Sequence, residues 1–396
     1  VRILMAVPKY PFPVVGGLER QSHELSKALA RRGHDISALS TLFDPLQRQF
    51  EVIEGVRLYR IQWFRFRPVR FLLSAFAIAH VLWKLRREVD LIHVHNVSWF
   101  GAFVTMFAKV TGLPVVTKLP GFGEFGIPGM ARGALGPIRI ALLKQSDAII
   151  AMTRESVAEL DRIGYPPARI LKVTNGIAIA RWFPRQPRSA KTVVVAYVGR
   201  LYPEKGLPDL LHAWQAIIKR TTMRVTLRLI GDGPQATELR GLVWTLGLGH
   251  AVHFLGHRSD VAAELATADL FVLPSYAEGN SNAILEAMSC GLPIVATRVG
   301  GATIQLGTQG ERFLVPAGDR QALANALLEL IEDATLRLRL GAEMRARIEK
   351  FFSIERIAET YEQAYELILS KQSQQIGRLN AALFGETAGE DSRCVA

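Results

Sequence analysis

A chain of 396 residues, 49% of them hydrophobic, is long enough for two ordinary domains, and its two cysteines, Cys290 and Cys394, leave a disulfide framework or a cysteine-built metal site without support. The formal net charge of +12 is unevenly placed: residues 1–185 hold 26 Lys and Arg against 13 Asp and Glu, the remainder 22 against 23. The excess points the N-terminal half toward something anionic, and the scarcity of cysteine toward a reducing compartment.

Val1-Arg-Ile-Leu-Met-Ala-Val7 predicts a buried first strand, lacking the basic lead, apolar core and small-residue cleavage site of a secretory leader. Further apolar runs predict strands near 34–41, 55–62, 91–96, 114–120, 148–153 and 169–175. In the second half they fall near 193–199, 225–231, 252–256, 269–275, 293–298 and 312–315. Helical patterns alternate with them, as at 18–32, where Leu18, Leu25, Ala28 and Leu29 share a face, and at 209–220 and 321–332. That alternation predicts two parallel α/β sheets, with a break near 181–192 where Pro184, Pro187 and several charges interrupt it. From Lys371 the chain turns polar, and a frayed tail is expected over 371–396.

Gly16-Gly17 closes the first strand-to-helix loop. Missing side chains let backbone and a helix N-terminus approach a phosphate or a substrate oxygen, although a plain tight turn needs the same residues. Residues 61–87 mix aromatic and basic groups: Trp63, Phe64, Arg65, Phe66, Arg67, Arg70 and Phe71, then Trp83, Lys84, Arg86 and Arg87. The apolar run from Phe71 to Trp83 is shorter than the roughly 20 residues a membrane span needs. It suits either a helix lying in an anionic membrane interface or a buried helix with a basic rim. No motif that reads RNA or DNA accompanies it, so no nucleic-acid partner is expected.

His93 and His95 share a strand face, but no third ligand is apparent and a zinc site is not predicted. A structural or cleft-lining pair is expected, with His95 within reach of substrate. Gly121-Phe-Gly-Glu-Phe-Gly126 spells a dinucleotide fingerprint after a strand. Pro128, Gly129, Gly133, Gly136 and Pro137 are expected to break the helix that would receive a pyrophosphate, and Asp147 precedes its strand where a ribose ligand should follow one. A mobile glycine-rich loop is the expectation there.

In the second half, Gly199-Arg-Leu-Tyr-Pro-Glu-Lys-Gly206 follows a strand and supplies Arg200 and Lys205, while Gly231-Asp-Gly-Pro234 turns at another strand end with Asp232 a minor candidate. Glu278-Gly-Asn-Ser-Asn-Ala-Ile-Leu-Glu286 places two carboxylates eight positions apart across a loop-to-helix junction. Gly279 lets the chain turn, Asn280, Ser281 or Asn282 can cap the helix, and Glu286 falls about one turn inside it. Ligands of parallel sheets bind along the C-terminal strand edge. Acceptor-only carboxylates beside free helix N–H donors suit a ligand with hydroxyls at one end and phosphate in the middle, such as a nucleotide sugar. No Asp-x-Asp occurs, which removes one usual bridge between a divalent metal and a diphosphate.

From Glu278 to Gly301 the chain resembles the donor-site signature of glycosyltransferase family 4, the group 1 glycosyltransferases. The resemblance implies the α/β GT-B fold, two Rossmann-like parallel-sheet domains facing each other across a cleft. Residues 1–183 would form the acceptor side, 184–350 the nucleotide-sugar domain, and 351–370 helices crossing back to the first. It implies a retaining, metal-independent enzyme without cofactor, moving a sugar from UDP- or GDP-sugar to a hydroxyl of a glycan or lipid-linked saccharide. Arg200 and Lys205 match the family's diphosphate-binding pair and, with Glu278, form the implied catalytic set. Gly16, Gly17, Gly199, Gly231, Gly279, Asn280, Ser281, Asn282 and Glu286 complete the donor set, Glu286 toward the ribose.

Two departures accompany the match. Many members carry a His near the strand end where this chain has Thr117-Lys-Leu-Pro-Gly121 and then Glu124, so His95, Lys118 and Glu124 become the acceptor-side candidates. Asn175-Gly-Ile-Ala178 holds Ala where the family often has Asp. A cytoplasmic location is expected, with peripheral contact at the inner face of the cytoplasmic membrane through residues 61–87. A GT-B sugar-nucleotide epimerase and a non-catalytic nucleotide-sugar-binding partner stand as the alternatives.

Overall fold

The computed structural model describes residues 1–10, 16–44, 46–62, 67–184 and 192–379, without the side chains of Arg67, Pro68, Arg70, Phe71 and Phe125. Expectations resting on Trp63, Phe64, Arg65, Phe66, Pro187, Cys394, the side chains of Arg67, Arg70 and Phe71, or the tail past Leu379 lie outside the described residues. Two units divide the chain: Val1–Gly176 joined by the segment from Ile354, and Ile177–Ser353.

The first unit is built on eight strands: β1 (Arg2–Ala6), β2 (Asp35–Leu42), β3 (Phe50–Ile53), β4 (Val56–Gln62), β5 (Leu91–Val94), β6 (Val115–Lys118), β7 (Ala148–Ala151) and β8 (Ile170–Lys172). Their spatial order is β3-β4-β2-β1-β5-β6-β7-β8. Neighbours run parallel except at the β3–β4 hairpin. Parallel strands are covered on both faces, and β5 to β7 are buried throughout: β7 is a continuous apolar run, while β5 and β6 carry His93, Thr117 and Lys118 inside. Edge strand β3 has a mixed burial pattern, and the sequence pattern did not mark it. Its turn, Glu54-Gly55, has positive φ at both residues, as a two-residue hairpin needs. The Glu54 carboxylate is held there by Lys27 Nζ at 2.8 Å and His23 Nε2 at 2.9 Å.

Six helices connect these strands: α1 (Gly17–Arg31), α2 (Arg67–Leu85), α3 (Trp99–Thr111), α4 (Ile127–Ala131), α5 (Gly136–Lys144) and α6 (Arg154–Arg162). Helix α2 buries Ser74, Ile78, Leu82 and Leu85, one stripe at helical spacing. Its opposite stripe is apolar too, and exposed: Val69, Leu72, Leu73, Phe76 and Trp83. Among the described residues no helix is long and apolar enough to cross a membrane.

One expectation is corrected here. The stretch after Gly121 is a 3-10 turn (Gly123–Phe125) followed by α4 and α5, where the sequence predicts a mobile glycine-rich loop. Pro128 and Pro137 each sit in the first helical turn, where the missing N–H has no partner to lose and the fixed φ already suits the helix. The buried Glu159 carboxylate accepts from Gly123 N at 2.6 Å and Ile127 N at 2.9 Å, which ties the segment down.

The second unit holds β9 (Thr192–Val198), β10 (Arg224–Ile230), β11 (Val252–Gly256), β12 (Leu270–Leu273), β13 (Ile294–Thr297) and β14 (Leu314–Val315), all parallel, in the order β11-β10-β9-β12-β13-β14. Its helices are α7 (Leu207–Arg220), α8 (Ala236–Thr245), α9 (Val261–Ala266), α10 (Asn282–Ser289), α11 (Ala302–Gly310), α12 (Arg320–Glu332) and α13 (Ala334–Phe351). One core runs through it, from Val193 to Tyr197 of central β9 out to Trp214, Ile284, Leu285, Leu327 and Phe352. Each such aliphatic side chain contributes about 1.5–3 kcal/mol by leaving water.

Helix α14 (Ile354–Leu369) packs into the first unit, burying Ile357, Tyr361 and Tyr365. Beyond it, Ser373–Leu379 is a 3-10 segment with Ile376 buried, which corrects the frayed tail expected from Lys371. Ile376 finds a place in the core although the composition around it is polar.

Candidate functional site

In the second unit the strand order reverses between β9 and β12, the switch point where such sheets open a crevice beyond the strands' C-terminal ends. Two segments leave that edge together. The Gly199–Gly206 turn follows β9 and enters α7 through the 3-10 turn Pro203–Lys205. Residues 274–281 follow β12 and enter α10.

Backbone approaches bind these segments. Tyr276 N donates to Glu204 O at 2.8 Å, and Gly301 N to Gly279 O at 2.7 Å. Gly206 has φ +65°, and a Cβ there would lie 2.1 Å from Pro274 O. Gly300, at φ +52°, would place a Cβ 1.7 Å from Glu278 O. Only glycine fits either position. The turn after β10 joins in, with Gly199 N donating to Ile230 O at 3.0 Å, Leu201 N to Asp232 O at 2.9 Å and Gly231 N to Gly256 O at 2.8 Å.

Side chains then converge on this frame. Lys205 Nζ donates to Glu278 Oε1 at 2.5 Å, and Ser275 Oγ donates to the same oxygen at 3.0 Å. Both partners of the pair keep about a seventh of their side chains exposed, 15% for Lys205 and 14% for Glu278. Arg200 is exposed and lies over the Tyr202 ring, its guanidinium carbon 4.6 Å from the centroid, with no carboxylate partner among the described residues. Ser281 is the helix cap, its Oγ accepting from Ile284 N at 3.4 Å. Gln305 Nε2 donates to Ser281 O at 2.8 Å and Asn280 Oδ1 at 3.3 Å. Glu286, fifth residue of α10, is buried. Cys290 ends the same helix, buried, its thiol pushed up to about 12 by burial first and by Glu286 second.

Arg200, Lys205, Glu278, Gly279, Asn280, Ser281, Asn282 and Glu286 therefore lie on two joined segments of one sheet edge. Gly16, Gly17, His95, Lys118 and Glu124 belong to the first unit. Gly16 caps α1, and the Glu19 carboxylate folds back so closely that a Cβ on Gly16 would lie 1.9 Å from its Oε2. Glu124 is largely exposed and pairs with Arg132 at 2.8 Å.

His95 and His93 are both buried, and α14 meets His93 through Tyr361 and Tyr365. Their rings stack 4.0 Å apart, His93 Nδ1 meets Tyr365 Oη at 2.7 Å, and His95 Nε2 meets Met5 Sδ at 3.3 Å. Burial first, then Lys118 for His93 and then His93 and Lys118 for His95, holds both imidazoles well below their ordinary range, so both are neutral. Lys118 is buried at the end of β6 with its Nζ donating to Asn175 Oδ1 at 2.8 Å, and burial pushes its ammonium down to about 8. Among the described residues no group of three His, Cys, Asp or Glu is placed to hold a metal ion.

Sequence reasoning missed Ser275, Gln305 and the role of Asn175. Gln305 and Asn175 are neutral polar residues whose partners lie far along the chain, and Ser275, three residues before Glu278, belongs to no pattern that marks a serine there.

The chain matches two family models: one described as Glycosyltransferase Family 4 over residues 15–181, and one described as Glycosyl transferases group 1 over residues 192–333. It is 29% identical to the N-acetyl-alpha-D-glucosaminyl L-malate synthase of Bacillus anthracis over 373 residues, covering 90% of this chain and 96% of that protein. Among solved structures, a sucrose-phosphate synthase from Thermosynechococcus elongatus superposes with a TM-score of 0.76 at 24% identity, covering 93% of this chain and 99% of that one. Anabaena Alr3699/HepE, solved in complex with UDP-glucose, gives a TM-score of 0.73 at 24% identity, with 93% and 99% covered. The fold is that of the GT-B glycosyltransferases.

Proposed function

This chain belongs to the group 1 glycosyltransferases of family 4, and from that premise we propose that it moves a sugar from a nucleoside-diphosphate sugar to an acceptor hydroxyl, with retention and without a metal. The observation that carries the reading is the convergence of Arg200, Lys205 and Glu278 at the switch point of the second unit. In the reaction the bond from anomeric carbon to diphosphate oxygen breaks, the acceptor oxygen bonds that carbon, and the acceptor proton passes to the departing phosphate. Charge develops on the diphosphate, and fixed cations in a crevice are the efficient way to meet it.

Arg200 is open to solvent, within reach of a phosphate oxygen entering the crevice. Lys205 is held by Glu278 through one of its three N–H donors, which leaves two for the leaving group. Glu278 positions the donor sugar beside the capped start of α10, and Glu286 accepts from the nucleotide ribose. A hydroxyl of a glycan or lipid-linked saccharide is the acceptor class that fits a peripheral enzyme. The Bacillus anthracis relative widens that class, since its name joins an N-acetylglucosaminyl group to L-malate, a dicarboxylate.

Incubation with UDP- and GDP-sugars should release nucleoside diphosphate only when acceptor is added, and EDTA should leave the rate unchanged. Rescue specific to Mn²⁺ or Mg²⁺ would end the metal-free reading, and a new sugar isomer without acceptor would mark an epimerase.

We also place residues 61–87 at an anionic membrane surface. The exposed stripe of Val69, Leu72, Leu73, Phe76 and Trp83 supports it, with Lys84, Arg86 and Arg87 at its end. The Arg86 guanidinium carbon lies 3.9 Å from the centroid of the Trp83 ring. Sedimentation with anionic vesicles should be salt-sensitive and should fail for Leu72→Asp with Phe76→Asp. Equal binding by that variant at low salt would discard the surface.

A further inference from the structure

Lys118 is a buried cation with no carboxylate partner among the described residues. Its residue keeps 6% exposure, and its only hydrogen-bond partner among the described residues is the neutral amide oxygen of Asn175. The parallel register of β5 with β6, His93 beside Val116, puts Lys118 on the same sheet face as the two imidazoles. Those rings are neutral and their one outside partner is a tyrosine hydroxyl or a thioether.

An ammonium has three donors, and a buried one with a single neutral partner destabilises the fold that holds it. Leu or Met would pack at the same place without that penalty. The position is also the C-terminal edge of the sheet, one strand from the β1/β5 junction where the order of the first unit reverses.

We propose that Lys118, steadied by Asn175 and flanked by His95, receives an oxyanion of the acceptor, a carboxylate or a phosphate carried near the hydroxyl that is glycosylated. This rests on the transferase reading, and it narrows the acceptor from any hydroxyl-bearing saccharide to one that is acidic. A neutral acceptor would leave the cation uncompensated in the complex as well. The oxyanion completes the donors that Asn175 leaves open, and binding it replaces the water the ammonium lost on folding.

The test uses the full chain and its Lys118→Met and Lys118→Arg variants, titrated with sodium malonate and with inorganic phosphate at constant ionic strength. Melting temperature and calorimetric heat are read with and without saturating UDP. Wild type should bind malonate, phosphate or both in the presence of UDP. Lys118→Met should lose at least tenfold in that affinity, and Lys118→Arg should keep part of it. A response to malonate alone assigns a carboxylate, and one to phosphate alone a phosphate ester. No anion response in wild type beyond that to chloride overturns the proposal, as does an equal response in Lys118→Met. If Lys118→Met does not fold, Lys118→Gln serves in its place. Failure of UDP to bind wild type refutes the nucleotide-sugar reading separately, because the anion titrations without UDP are scored on their own.

Discussion

The two sheet edges hold cations in opposite ways. At the edge of the second unit Lys205 is paired with Glu278 near the surface, and Arg200 stands in solvent. At the edge of the first, Lys118 is buried against a neutral amide and two neutral imidazoles. An exposed or paired cation is nearly neutral for stability, so function can use it freely. A buried, uncompensated one lowers stability every time the chain folds. The first arrangement suits a ligand whose charge grows during the reaction. The second suits a ligand that arrives already charged.

The largest expected effect breaks the comparison from the open edge. Arg200→Ala and Lys205→Ala should each lower turnover by about 10²–10³-fold, the range seen when one donor to a developing anion is removed. Melting temperature should stay within a few degrees of wild type. Unchanged turnover in either would remove the leaving-group role.

Next comes the buried edge, read through stability against pH. A lysine whose folded pKa, about 8, lies below its ordinary 10.5 penalises folding while it is protonated. That penalty is complete below pH 8 and is relieved as pH climbs from 8 toward 10.5, where the unfolded chain still holds the proton. Lys118→Met should therefore be more stable than wild type near pH 7, by up to about 3 kcal/mol, with the gap closing toward pH 10.5. A gap that does not change with pH would mean the ammonium is not desolvated in solution.

The smallest effect sharpens the contrast. A double-mutant cycle on Lys205→Met and Glu278→Gln should return a stability coupling of about 1 kcal/mol, since both groups are only partly shielded. Zero coupling would make Lys205 as free as Arg200.

How much of this was legible in the sequence follows from where each residue's partners lie. Strands such as Ala148–Ala151 and Leu270–Leu273 announce themselves because burial on both faces demands an unbroken apolar run. The 199–206 and 278–286 segments are legible because glycine, capping residues and charges all fall within one turn. Edge strand β3 is not, for its Phe-Glu-Val-Ile run is only half covered. Pro128 and Pro137 mislead because a proline's effect depends on whether it falls in the first helical turn or later, a matter of position that composition does not fix. His95 is ambiguous in sequence, as a strand-end histidine serves equally as ligand or packing. Its burial, and the packing of Tyr361 and Tyr365 of α14 on the neighbouring His93, come from residues far along the chain that no local pattern shows. The Lys118–Asn175 contact spans 57 residues and has no local signal at all.

The thiol of Cys290 sits at the end of the helix that carries Glu286, sealed from water and held in its protonated form. Alkylating reagents and peroxide act on thiolates they can touch, so this sulfur is inert for as long as the second unit stays closed. A mass tag mapped to Cys290 thus records an opening event and nothing smaller. The chain carries its own clock for the lifetime of its donor half.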